Sequence, residues 1–296
     1  MKEIPITSFR NLNIGQAENT AAGTGCTVFL LGQDGAPAGL DVRGGGPASR
    51  ESELLKPLAA AQVIHAIVLA GGSAFGLDAA GGVMRYLEER GIGFDVGVTK
   101  VPLVCQSDLF DLTVADAHTR PDAAMAYQAC VNAEAGNYRD GNYGAGTGAT
   151  VGKLLGMDHC MKSGIGSYAV QVGPLQVGAV VAVNALGDIY DYETGRKAAG
   201  LLADDGRTFL DSELLALQSI EVKENNSSAI QRSVLSLRTH GLTNPGCARS
   251  LAWHRTGMRA PSARCIPRQT GTASTLFRWA MWPLIRMSWG ATGGRV

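Results

Sequence analysis

Residues 141–153 read GNYGAGTGATVGK, and a glycine run ending in Gly-Lys raises the question of phosphate binding. A phosphate loop needs glycine five places before the second Gly and a hydroxyl after the Lys. Backbone amides then cradle the phosphates while the hydroxyl reaches the metal. Thr147 stands at the first of these positions and Leu154 at the last, so both ends fail. The inner run Gly144 to Ala149 fits the loose dinucleotide form G-x-G-x-x-A. That form requires a buried strand before it and a helix opening within it. The preceding NYRDGNY is polar and turn-like. A tight backbone turn is the favoured reading, and nucleotide binding is disfavoured.

Other residues offer other chemistries. Ser73 follows an apolar run and two glycines, as a hydrolase nucleophile elbow does, but the G-x-S-x-G pattern fails at Phe75. A helix-capping serine is the better reading. Asp158, His159 and Cys160 form one cluster of metal-ligand types without a second set at zinc-like spacing. His65, inside an apolar strand, reads as a hydrogen-bonded core residue. Asn184 ends the apolar run VGAVVAV, where a rigid amide can donate to a developing oxyanion. The hydroxyl of Tyr143, between glycines, could serve likewise. An Asx turn for Asn184 and a packing aromatic for Tyr143 remain the readings that spacing alone favours.

The elements that would position these groups are a mixture. AGTGCTVFLLG (22–32) and VIHAIVLAGG (63–72) read as strands, the second buried and ended by glycines. SAFGLDAAGGVMRYLEERG reads as a helix stopped by Gly91, and IGFDVGV as the next strand. RPDAAMAYQACVNAEAG is a helix with Pro121 near its first turn. SYAVQV and LQVGAVVAVNALGDI flank Gly173-Pro174 as an antiparallel hairpin. ESELLKPLAAAQ suggests a helical stretch interrupted by Pro57, and TGRKAAGLLADDG a further helix. Strand–helix units with a hairpin make an α/β domain.

The composition sets the class. With 296 residues and 45% hydrophobic content a sizeable core is available. The N-terminal residues show no apolar signal core, and VGAVVAVNALG is too short to span a bilayer. The six cysteines form no CxxC pair, so a cytoplasmic, reduced protein is expected. The net charge of zero hides a segregation. Residues 229–296 hold ten arginines, no lysine and no acid, together with all four tryptophans, leaving the preceding chain acidic.

Several long stretches then occur in order: TAAGTGCTVFL, GLDVRGGGPASRESELL, VIHAIVLAGGSAFGLDAAGGVMRYLEERGIGFDVG, GNYGAGTGATVGK and VGAVVAVNALGDI. From about residue 5 to 228 the chain resembles the L-aminopeptidase/D-esterase family, the β-aminopeptidases. The resemblance implies a layered αββα sandwich of mixed sheets and assembly into homo-oligomers. It implies a precursor that cuts its own backbone and frees a serine or threonine nucleophile. Residues 1–226 would be the first chain and 227–296 would occupy the position of the second. The matching bond is Asn226–Ser227 within KENNSSAI. Read without the resemblance, this stretch is a polar linker. Ser227 would attack while its own α-amine takes the proton, and Tyr143 and Asn184 would line the oxyanion site. The opening loop would then let a substrate backbone approach and cradle no phosphate. Small peptides, amides or esters are the implied substrates, and transfer of the acyl group to an amine is the enzymatic alternative. No metal or organic cofactor is called for, and neither a membrane nor a nucleic-acid partner is expected.

After Ser228 the resemblance fails. The family continues with an apolar strand, a helix and an acidic Asp-Gly-Asp segment, whereas this chain gives AIQRSVLSLRTHG and the arginine-rich tail. One reading is a basic tail that binds nucleic acid by charge and stacking, although the arginines are not clustered. The other is a shifted reading frame near residues 226–240. Permitted codons for residues 251–276, re-read one frame away, can spell a segment containing Asp-Gly-Asp. The C-terminal part of the fold is therefore doubtful, and an inactive, frameshifted family member is the non-enzymatic alternative.

Overall fold

The computed structural model describes residues 1–42 and 46–221. Residues 1–212 fall in one compact unit, and a second unit begins at Glu213. The centre of the first is a five-stranded sheet in the order Asn13–Asn19, Thr24–Leu30, Ala66–Ala70, Val104–Asp108, Ser49–Arg50. The Ala66–Ala70 and Val104–Asp108 strands pair in parallel, and the other neighbours are antiparallel.

Thr24–Leu30 is buried along its whole length because both faces of the sheet are covered. Alternate side chains of a strand point to opposite faces. Cys26, Val28 and Leu30 face helices α1 (Ala79–Glu88) and α2 (Ala123–Glu134) in one core cluster. Phe29 lies in a second cluster, with Ile14, Leu69 and Cys105 from the same sheet and Ile165, Ala169 and Val180 from a hairpin. The helices pack closely where Gly82 leaves room, since a Cβ there would lie 1.8 Å from the Ala123 carbonyl oxygen. The α2 N-terminus is capped by Asp122, whose carboxylate accepts from Met125 N–H at 2.8 Å.

The hairpin, Ile165–Val172 with Leu175–Ala182, keeps an unbroken register from Ile165↔Ala182 to Val172↔Leu175. Its two-residue turn places Gly173 at φ +57 ahead of Pro174, as a II′ turn requires. The short strand Lys2–Glu3 adds to the Ile165–Val172 side. Helices, five-stranded sheet and hairpin sheet thus stack as three layers of an α/β fold. The described residues 1–212 do not form a fourth, outer helical layer of the expected αββα sandwich. Helix α3 (Ser212–Glu221) starts at the unit boundary.

Several local expectations change. Asn13–Asn19 and Val104–Asp108 are sheet strands that the sequence did not announce. IGFDVGV supplies only Phe94–Asp95, which pairs with Lys100–Val101. ESELLKPLAAAQ gives a 3-10 turn at Ser52–Leu55 and no longer helix. TGRKAAGLLADDG is not a helix: Lys197–Ala199 is a strand paired with Ile189–Tyr190. Pro121 lies near the first turn of α2 as expected, directly ahead of the Asp122 cap. Among the described residues no helix is long and apolar enough to cross a membrane.

Candidate active site

As the second hairpin strand ends, the chain turns onto the far end of the glycine loop. Val183 N–H donates to Gly164 O at 2.9 Å, and Ala185 N–H to Thr150 O at 3.0 Å. Between them Asn184 is held at both ends of its amide. Its Nδ2 donates to the Phe110 carbonyl at 2.8 Å. Its Oδ1 accepts from Thr150 N–H at 3.2 Å and from Lys153 Nζ at 2.5 Å. An amide nitrogen has two donor hydrogens, so the bond to Phe110 leaves one for another acceptor. The rigid amide expected at residue 184 is therefore present, and its backbone neighbours make it more than an Asx turn.

Lys153 is the principal residue that spacing missed. By spacing it is only the lysine of a failed phosphate loop, after Gly152. Burial holds its amine down to about 8, partly opposed by the nearby Asp111 carboxylate. A second lysine, Lys162, lies opposite Thr150 in the short ladder formed by Thr150–Val151 and Met161–Lys162. Its Nζ donates to the Thr147 and Ala149 carbonyls, and burial lowers its pKa.

Beside Phe110, Asp111 fastens three segments together. Its buried carboxylate accepts from Gly72 N–H at 2.6 Å and from Thr24 Oγ at 2.7 Å. Burial raises its pKa, while those bonds and Lys162 pull the other way. A Cβ on Gly148 would lie 2.3 Å from the Gly23 carbonyl oxygen and 2.4 Å from Asp111 Cβ. The glycine of this loop therefore admits the protein's own backbone.

Tyr143 belongs to the near end of the loop. The Arg139 guanidinium carbon sits 3.8 Å from its ring centroid. Arg139 pairs with Glu18 at 3.3 Å, and the second Glu18 oxygen accepts from Gly144 N–H at 2.9 Å. Tyr143 and Asn184 thus engage different ends of the loop, and no hydrogen bond joins them among the described residues. Asn226 and Ser227 lie outside the described residues.

Ser73 does not cap a helix. It has φ +54, its N–H donates to Leu109 O at 2.9 Å, and the chain runs through a 3-10 segment before α1 begins. Its left-handed backbone follows from Gly72 N–H and Ser73 N–H both being tied to the 109–111 segment. His65 is the core residue expected: Nδ1 accepts from Leu103 N–H at 3.1 Å, and burial lowers its pKa. His159 meets the Leu202 carbonyl at 3.0 Å through Nδ1. Among the described residues no group of three or more metal-ligating side chains comes together.

The fold is α/β, and Lys153 and Asn184 form a polar cluster where the glycine loop meets the end of the hairpin. Residues 5–229 match the model of peptidase family S58, and the chain belongs to that family. It is 43% identical over 186 residues to an uncharacterized aminopeptidase of Mycobacterium leprae, covering 59% of this chain and 49% of that protein. It is 30% identical over 187 residues to a 6-aminohexanoate-oligomer endohydrolase of a Kocuria species, covering 63% of this chain and 50% of that one. The chain spans about half the length of these curated relatives. Among solved structures, a Burkholderia β-aminopeptidase superposes with a TM-score of 0.48 at 21% identity, covering 63% of this chain and 54% of that one. The L-aminopeptidase D-Ala-esterase/amidase of Ochrobactrum anthropi gives 0.49 at 17% identity, covering 64% and 56%.

Proposed function

We propose that this chain is an autoprocessing aminopeptidase-type hydrolase that releases N-terminal residues from small peptides, amides or esters. Ser227 attacks the carbonyl, first of its own Asn226–Ser227 bond and then of substrate, and forms an acyl-enzyme that water resolves. The α-amine freed at Ser227 serves as general base in turnover. Asn184 gives its second amide hydrogen to the oxyanion, and Tyr143 supports the same site from the other end of the loop. Lys153 is well suited to proton transfer, because an amine near 8 carries a useful neutral fraction at working pH. Membership of the peptidase family and the fixed Asn184–Lys153 contact carry this reading.

The family match ends at residue 229, at the border of the arginine-rich segment, and this favours a second reading. In it the chain is a family member that neither cuts itself nor turns over substrate. Intact mass spectrometry of the full chain and of Ser227→Ala separates the two. The first predicts two fragments divided at Asn226–Ser227 in the parent and one uncut chain in the variant. A single uncut chain in both refutes autoprocessing and leaves the inactive reading.

A further inference from the structure

Asp111 sits where three glycine-bearing segments meet, at Gly23-Thr24, Gly71-Gly72 and Gly148. A Cβ on Gly71 would lie 1.8 Å from Asp111 Oδ2, and one on Gly148 would lie 2.5 Å from the same atom. Both glycines leave room for this carboxylate. Each oxygen accepts one hydrogen bond, Oδ1 from Gly72 N–H and Oδ2 from Thr24 Oγ. Two residues earlier, Leu109 N–H donates to Ala70 O at 2.7 Å, and Leu109 O accepts from Ser73 N–H at 2.9 Å. The Phe110–Asp111 peptide lies between these two anchors. Its carbonyl is the acceptor for Asn184 Nδ2.

The carboxylate also has a charge to balance, because an ion taken out of water needs donors or a counter-charge. Neither nearby amine bonds to it. Lys153 Nζ goes to Asn184 Oδ1, and Lys162 Nζ goes to the Thr147 and Ala149 carbonyls. Asp111 attracts both ammonium groups through space, and the Cys160 thiol is the other titratable group that faces them. The carboxylate therefore acts on both ends of the Asn184 amide. It reaches Nδ2 through the Phe110 carbonyl, and it reaches Oδ1 through Lys153.

We propose that Asp111 is a positioning residue of this site: it fixes the carbonyl that aims the free Asn184 amide hydrogen, and it supplies the counter-charge for Lys153. As a part of catalysis this rests on the reading of Asn184 and Lys153 given above. The arrangement itself precedes any cut in the chain, so it is tested without turnover. Two substitutions separate its halves. Asp111→Asn keeps an acceptor for Gly72 N–H, and the Thr24 hydroxyl can reverse and accept from the new amide. The anchor then stays while the charge goes. Asp111→Ala removes both.

The test uses the full chain. Competitive acetylation by acetic anhydride, read by peptide mass spectrometry, follows Lys153, with Lys56, paired with Glu53, as the internal reference. Hydrogen exchange follows the Thr150 amide, which donates to Asn184 Oδ1. Thermal melts at each pH confirm that the variants fold. In Asp111→Asn the Lys153 amine loses an attraction for its proton, so its acetylation at about pH 7 should rise roughly threefold, as for a midpoint about half a pH unit lower. Above about pH 9, where the amine is neutral in parent and variant alike, the rates should coincide. The Thr150 amide should exchange as in the parent. In Asp111→Ala it should exchange about tenfold faster, as expected when the stabilisation of one hydrogen bond is lost. Unchanged Lys153 acetylation near neutral pH in Asp111→Asn overturns the proposal. So does an equal rise at both pH values, which marks general loosening. An unchanged Thr150 amide in Asp111→Ala also overturns it. If that variant does not melt cooperatively, Thr24→Val, which removes only the Oδ2 donor, takes its place with the same readout. A parent that stays uncut refutes autoprocessing and leaves all these outcomes readable, so the two readings fail separately.

Discussion

Replacing Asp188 by Ala should destabilise the 184–212 segment more than any surface change in it. The Asp188 side chain is 3% exposed and faces Lys197 Nζ at 2.7 Å. It also accepts from Leu201 N–H at 2.8 Å, Ser212 N–H at 3.0 Å and Ser212 Oγ at 2.8 Å. Removing one partner of a buried ion pair typically costs about 3–5 kcal/mol, because the other charge and the backbone donors are left without an acceptor. The effect reaches the proposed site. A Cβ on Gly200 would lie 2.2 Å from Asp188 Oδ1, and one on Gly152 would lie 2.1 Å from the Gly200 carbonyl carbon. Asp188 therefore presses Gly200 against the residue that precedes Lys153. Urea denaturation at neutral pH measures the loss. The pH dependence gives a second check. The bonds from Lys197, Leu201 and Ser212 hold the Asp188 carboxyl below its ordinary value despite burial. Its contribution is then complete above the unfolded carboxylate value and fades as pH falls through the folded one. The gap between parent and variant should close in acid. A loss under about 1 kcal/mol at neutral pH would refute the reasoning, since that is what an exposed ion pair contributes.

Two further outcomes follow from buried titrating groups. Burial pushes the Asp108 carboxyl up from 3.8 to about 8, and its Oδ2 is buried without a hydrogen-bond partner. Between those values the unfolded chain ionises while the folded one stays neutral, so this group makes stability fall as pH rises. Asp108→Asn should flatten that slope in denaturation measured across the same range; an unchanged slope would contradict it. Lys153→Met should leave the thermal melt nearly unchanged and slow release of the Ser227 fragment, or hydrolysis of a peptide amide, by about a hundredfold or more. In the parent the same rate should rise with pH through about 8 as the Lys153 amine loses its proton; a flat pH profile, or a variant as fast as the parent, would remove Lys153 from the chemistry.

What the sequence made legible was governed by local pattern. The Thr24–Leu30 and Ala66–Ala70 strands are apolar and ended by glycines, and the hairpin announces itself by Gly173-Pro174. The strands that escaped carry polar residues whose partners are distant in the chain. Gln16 is 1% exposed and bonds to Arg139, with Asn132 and Asn137 on its backbone. Gln106 reaches Ala80 N–H and Gly76 O. Inspection of NIGQAEN or VCQSD alone cannot reveal that these amides are satisfied. The mistaken helix at 194–206 has helical composition, but Lys197 is drawn to Asp188 and Gly200 takes φ +158. Asn184 was visible as a polar residue after an apolar strand. Lys153 was not, because its significance depends on burial and on a contact 31 residues away.

The pairing of Lys2–Glu3 with Val170–Gln171 has a consequence for how the chain is made. A ribosome adding about 5–20 residues per second releases the N-terminus roughly 10–30 s before its partner strand emerges. The five-stranded sheet needs nothing beyond Asp108 for its own strands, so its ladders can form first. During that interval Ile6 and Phe9, buried in the finished protein, have no hairpin to cover them. The hairpin and the segment that carries Ile6 and Phe9 therefore complete their folding together, after the five-stranded sheet can form.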